Sequence, residues 1–169
     1  MDFSEMDEVD LEILKLLSSD GRKSFRSIAQ DLEKSPVTIK NHVEDLESLG
    51  IIDNYGIKID YEKLGFEIMA FIEVVVSKGK MLDVEKDIAE NPNVFGVYDI
   101  TGTYDAIILA RFRSRKHLSE MIKKIHKSQY VERTNTHLIL NIIKEGVSFK
   151  DLMKHERERD KKEPKEDSE

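Results

Sequence analysis

The chain contains no cysteine, which removes disulfides, thiolate metal sites and a cysteine nucleophile from consideration together. Its five histidines, His42, His117, His126, His137 and His155, are scattered. None falls in the HxxxH or HExxH spacing by which one helix aims two imidazoles at a metal, so neither a metal nor a cofactor is expected. Long apolar runs are missing too, and nothing approaches the roughly 18 residues that a membrane span requires. The opening MDFSEMDEVD is acidic and polar, without the basic and apolar segments of a secretory leader. These absences point to a soluble, cytoplasmic protein with no membrane partner.

An excess of positive charge is also lacking. The formal net charge is −7, which taken alone argues against nucleic acid. Its distribution argues otherwise. Residues 1–60 carry seven Lys/Arg and fourteen Asp/Glu, yet Arg22, Lys23, Arg26, Lys34 and Lys40 crowd into 22–42 against only Asp31 and Glu33. That is a basic patch inside an acidic shell. With 169 residues, 39% hydrophobic and 36% charged, the chain has enough apolar material for one ordinary domain or two small ones.

The apolar spacing organises the first fifty residues. Val9, Ile13, Leu16 and Leu17 mark one face of a helix over 7–19, stopped by Asp20-Gly21. Ser24 caps a second, short helix whose Phe25, Ile28, Ala29 and Leu32 share a face. Ser35-Pro36 supplies an N-cap followed by proline at the first helical position, and Ile39, Val43, Leu46 and Leu49 line a third helix that Gly50 ends. Helices two and three, joined only through Glu33-Lys34, predict a helix-turn-helix domain over 1–50. With Ile39, Val43 and Leu46 inward, the third helix turns Val37, Thr38, Lys40 and Asn41 outward, where a recognition helix meets base edges. Ser35 and the helix N-terminus suit a phosphate, and Arg22, Lys23 and Arg26 add attraction that does not depend on sequence.

Beyond Gly50 the period changes to two, predicting a linking strand or wing within a hinge over 51–64. The next stretch, 65–146, reads as strand 66–76, helix 80–90, strands 94–101 and 104–113, helix 115–127 and strand 131–143. This is the βαββαβ order of a ferredoxin-like sandwich, and the whole chain is therefore α+β. One apolar stripe per helix, Met81, Val84 and Ile88, then Leu118, Met121, Ile122 and Ile125, covers one sheet face. The first strand is apolar in both phases, so a second copy of the sheet is expected on the other face, giving a homodimer whose two helix-turn-helix units match pseudo-palindromic double-stranded DNA. The remainder, 147–169, is mixed in charge and poor in core residues, and predicts a frayed helical start followed by disorder that can be deleted without unfolding.

Several segments resemble the Lrp/AsnC (feast/famine) regulators. DEVDLEILKLLSSDGR is similar to that family's first helix and turn, SPVTIKNHVEDLESLGII to its recognition helix, VYDITGTYDAIILAR to its C-terminal signature and ERTNTHLIL to its closing strand. The resemblance implies a transcription regulator whose C-terminal domain dimerises, assembles further into octamers or other multimers, and senses an amino acid. Carried onto this chain, it places effector contacts at Thr101, Gly102, Tyr104 and Asp105 in the strand hairpin and at Thr134 and Thr136 on the last strand. Their chemistry suits such a ligand: Asp105 accepts from an ammonium, the threonines bond a carboxylate and Gly102 permits close backbone approach. The same residues also read as a tight turn that needs no ligand.

Two other functions compete. Relatives resembling this family include tetrapyrrole-pathway decarboxylases, but that chemistry needs convergent Arg and His groups. The sequence clusters only Arg111, Arg113 and Arg115, which read as the end of a strand and the start of a helix. The acidic balance also fits a metabolite sensor that does not bind DNA. The expectation is a DNA-binding regulator with no catalytic residues.

Overall fold

The structure is a computed structural model that describes residues 6–77 and 79–160. It divides into two compact units, one formed by 1–58 with 145–169 and the other by 59–144. No described helix is long and apolar enough to cross a membrane.

In the first unit the helices form where caps and periodicity place them. The side chains of Asp7, Ser24 and Ser35 accept from the backbone N–H groups of Asp10, Ser27 and Thr38, opening α1 (Glu8–Ser19), α2 (Phe25–Asp31) and α3 (Pro36–Ser48). Gly50, at φ +68°, takes the left-handed conformation that ends α3, with Ile51 N–H donating to Leu46 C=O. Glu33, between α2 and α3, adopts φ 53° without being glycine, while the Lys34 N–H returns to Ala29 C=O and closes the turn. Ile13, Ile28, Ala29, Ile39, Val43 and Leu46 form the core. Each fully buried Ile, Leu or Val there contributes about 1.5–3 kcal/mol.

Two features of this unit differ from expectation. Residues 51–60 join no ladder among the described residues, so they form neither strand nor wing. A strand needs a partner edge, and this segment finds none, leaving Ile57 81% exposed. Tyr55 instead anchors it, its hydroxyl donating to a Glu47 carboxylate oxygen at 2.9 Å. Burial first, then that bond and the adjacent negative charge, push the phenol up to about 12. The second difference is the tail. The helical start expected there is α6 (Phe149–Asp160), but it runs twelve residues without fraying early and buries Met153, where a stretch poor in core residues was expected. The disorder expected past 160 falls outside the described residues.

The second unit is the anticipated sandwich. Strands β1 (Ile68–Val76), β2 (Val94–Asp99), β3 (Ala106–Phe112) and β4 (Val131–Ile139) alternate with α4 (Met81–Ala89) and α5 (Arg115–Ile125) in the order βαββαβ. The sheet order is β2-β3-β1-β4, and every pair is antiparallel. Ala70, Ile72, Val74 and Val76 of β1, with Ala106, Ile108, Ala110 and Phe112 of β3, are buried with Val84 and Ile88 of α4 and Leu118, Met121 and Ile125 of α5. The register then puts Met69, Phe71, Glu73 and Val75 beside Ile107, Leu109 and Arg111 and beside Arg133, Asn135, His137 and Ile139 on the opposite face. Among these, Phe71, Val75, Ile107 and Leu109 stay only half-buried.

Candidate DNA-binding surface and effector site

Helix α3 sorts its residues by angle. Ile39, Val43 and Leu46 face the core, so Val37, Asn41 and Glu44 lie opposite it, with Lys40 on one flank and Thr38 and His42 on the other. Val37 is 66% exposed, and Lys40 and Asn41 are also exposed. The free tips differ in availability. Lys40 Nζ pairs with Glu44 at 3.1 Å, and Lys23 pairs with Asp31. Arg22 and Arg26 are exposed and have no ion-pair partner among the described residues. Ser35 accepts from Thr38 N–H at 3.0 Å and shares a hydrogen bond with the Thr38 hydroxyl at 2.8 Å, so both hydroxyls serve the helix start.

His42 is a residue whose role the sequence pattern missed. It is half-buried, and its Nδ1 lies 2.7 Å from Asp10 Oδ1 and 3.9 Å from Asp7 Oδ2. The recognition helix is thereby fastened to the first turn of α1. Asp7, Asp10 and His42 are the one grouping among the described residues that could offer three metal-ligand atoms within 4.8 Å of one another. The direct imidazole–carboxylate bond accounts for their proximity without an ion.

Of the six residues assigned to an effector, Thr101, Gly102, Tyr104 and Asp105 lie at one end of the sheet, whereas Thr134 and Thr136 lie further in, opposite Val74 and Ile72. Asp105 accepts from Val76 N–H at 2.8 Å through its carboxylate, donates its own N–H to Val74 C=O and accepts from Ile100 N–H. It therefore pegs the hairpin to β1, as the turn reading requires. Thr134 sits opposite Val74 on the other side of β1, and its hydroxyl is bonded to His126 Nε2 at 2.7 Å. Thr136 follows in the same phase, on the helix-covered face. Tyr104 lies under the Arg133 guanidinium at 5.0 Å from its ring. Thr101 and Gly102 are exposed. Gly102 has φ +129°, and a side chain there would meet nothing within 4 Å, so within this chain it serves backbone conformation and not close approach.

Glu85 on α4 adds to this end of the sheet and had no signal in the sequence beyond its charge. Its Oε1 is buried without a hydrogen-bond partner among the described residues. Burial first, then the negative charges of Asp99 and Asp105, raise its carboxyl above the ordinary range. At the other end, a cavity of about 410 Å³ is lined by Phe66, Met69, Arg111 and the exposed run Leu140 to Ile143. The Arg111 guanidinium lies between the rings of Tyr61, at 4.9 Å, and Phe95, at 4.8 Å. Arg111 belongs to β3 and Arg115 opens α5, matching the reading of that arginine cluster as strand end and helix start.

Comparison with known proteins places both units. The winged helix-turn-helix DNA-binding model matches residues 6–53, and the Lrp/AsnC ligand binding domain model matches 69–149. An HTH-type transcriptional regulator of Pyrococcus furiosus is 42% identical over 141 residues, covering 83% of this chain and 95% of that protein. The HTH-type transcriptional regulator FL11 of Pyrococcus horikoshii is 33% identical over 85% of this chain and 95% of its own. Among solved structures, AsnC of E. coli superposes with a TM-score of 0.79 at 27% identity, covering 85% of this chain and 98% of that one. LrpC of B. subtilis gives 0.75 at 29%, covering 84% and 99%. The helix-turn-helix, the βαββαβ sandwich and these relatives lead to one conclusion: the chain belongs to the Lrp/AsnC family of DNA-binding transcriptional regulators.

Proposed function

We propose that this regulator reads pseudo-palindromic DNA as a homodimer, through the outward face of α3. The observation that carries the reading is that Arg22 and Arg26, exposed and without an ion-pair partner among the described residues, belong to the same three-helix unit as the exposed Val37, Lys40 and Asn41 of α3. Asn41 has the donor and acceptor to read one base edge, whereas the cations and Ser35 hold phosphates and set register. The dimer forms through the half-buried apolar sheet face around Phe71 and Leu109, which two copies bury together. It acts in the cytoplasm as a binding protein and carries out no catalysis.

The effector is a small molecule with an ammonium group, most simply an amino acid, held at the β2–β3 end of the sheet. Support comes from the concentration of carboxylates there: Glu85, with a buried oxygen lacking a partner among the described residues, and Asp99 and Asp105 close enough to raise its titration. Thr101, Gly102, Tyr104, Thr134 and Thr136 complete the surroundings, and further assembly of dimers would enclose them.

The test is selection of genomic fragments by the purified protein, followed by affinity for the enriched site against scrambled DNA at about 50 and about 200 mM salt. A two-fold site with half-sites roughly 34–36 Å apart supports the reading. Binding that is equally weak on every sequence at both salts would refute it. The same assay, repeated with each amino acid, identifies the effector by a shift in affinity.

A further inference from the structure

We propose that α6 is a second tether, clipping the chain that leaves the sensor unit onto the outer face of α1, so that two covalent connections hold the DNA-binding unit in place of one. The chain passes from the first unit to the second at residues 58–59 and returns at 144–145, leading into α6. Leu11 shows why the return matters. It sits roughly 160° around α1 from Ile13 and so faces away from the three-helix core. Yet it is only 5% exposed, and Met153 of α6 only 3%.

Other contacts agree with this docking. Glu8, one turn before Leu11 on the same face, receives Arg157 Nη2 at 2.7 Å. Phe149, at the start of α6, lines a cavity of about 310 Å³ with Leu14, Leu17, Ile51, Ile52 and Tyr55. The docking is thin, because Leu152 remains 46% exposed and the rest of α6 is mixed in charge. It is also separable, since the core of Ile13, Ile28, Ala29, Ile39, Val43 and Leu46 includes no residue of α6. The match to the ligand binding domain ends at residue 149, where α6 begins. The clip is therefore an addition to the family's two-domain plan, and it narrows the placements of the helix-turn-helix unit that DNA can select.

The DNA consequence rests on the reading of paired half-sites given above, so the test has one arm without DNA. Cysteines introduced at Ser19→Cys and Glu120→Cys, in a chain that has none, carry spin labels, with labelled protein diluted into an excess of unlabelled copies. Met153→Asp, or a chain ending at Gly146, is expected to broaden the distance distribution between the labels. Glu8→Arg alone should do the same, and Glu8→Arg with Arg157→Glu should restore the narrow distribution. In the second arm, DNA libraries vary the spacing between two half-sites. The full chain should prefer one spacing, and Met153→Asp should lose about tenfold of that preference. Equal distance widths for the full chain and the variants would overturn the tether whether or not DNA binds. Broadened widths with an unchanged spacing preference would overturn its role on DNA.

Discussion

The imidazole Nδ1 of His42 meets Asp10 Oδ1 at 2.7 Å, joining residues 32 positions apart and fixing the recognition helix against the start of α1. Because both groups are partly shielded, the bond exceeds a surface ion pair in value without reaching that of a buried one. His42→Ala and Asp10→Asn should each lower unfolding free energy by about 1 kcal/mol. In a double-mutant cycle the two losses should not add, which chemical denaturation measures directly. Additive losses would mean that the pair does not interact in solution.

On DNA, Asn41→Ala should cost about 1–3 kcal/mol at one base pair and little on scrambled sequence. Lys40 is different, because Glu44 already holds it at 3.1 Å. Lys40→Ala should weaken all sequences alike, and Glu44→Gln should tighten them by releasing the lysine and removing a negative charge. Fluorescence anisotropy across a salt series separates the effects. A uniform loss for Asn41→Ala would remove it from base recognition.

The three helices, their caps and the strand order were legible because each rests on local rules: Ser24 and Ser35 as caps, the stripe Ile39-Val43-Leu46, and the alternation around Ala70-Ile72-Val74. What could not be read depends on partners distant in sequence. His42 carries no mark of its link to Asp10, and Glu85 none of its proximity to Asp99 and Asp105. The alternation in 51–60 suggested a strand, yet nothing in a period of two guarantees an edge to pair with. The tail misled for a related reason: Phe149, Leu152 and Met153 among charges make a weak apolar stripe, unless the outer face of α1 at Leu11 is seen to need a cover. Asp105 lies next to the β2–β3 turn and Thr134 on the last strand, as their positions in the pattern implied, but their hydrogen bonds to Val76 and His126 are tertiary facts.

Glu85 gives a pH prediction whose sign follows from its raised titration. The folded state holds the proton more tightly than the unfolded one, so its penalty is absent at low pH, where the carboxyl is neutral in both states. The penalty grows as pH rises above the ordinary carboxylate value toward the raised one. Glu85→Gln should therefore raise Tm at pH 7, and the advantage should vanish below about pH 4. Thermal melts of both proteins across that range decide it. A gap independent of pH would show that the carboxylate's ionisation is not the cause.

The open sheet face can be tested through Phe71, which packs edge-on against His137 with ring centroids 5.7 Å apart. Phe71→Asp places a charge at the centre of that face and should yield monomers in light scattering while leaving the covered-face core of Ile72 and Ile108 intact. An unchanged mass would move the dimer contact elsewhere.

Glu33 offers a change expected to stabilise. A side chain at φ 53° is strained by about 1 kcal/mol, so Glu33→Gly should stabilise by a few tenths to about 1 kcal/mol after the entropy of the added glycine is counted. Removing its charge from the patch should also tighten binding to nonspecific DNA. Urea melts and a low-salt titration report the two effects separately.

The sheet order β2-β3-β1-β4 also sets a sequence of events during synthesis. The buried core shared by α1, α2 and α3 is complete by Leu46, although α6 covers α1 only later, so the three helices can form as soon as they emerge. Strand β1 has no neighbour until residues 106–112 arrive, and its second edge waits for 131–139. Through that interval a strand apolar in both phases is open to other nascent chains, while a finished helix-turn-helix already precedes it. Newly made molecules thus acquire the part that grips DNA before the part that governs it, and delayed completion of β4 exposes the cell both to aggregation and to unregulated binding.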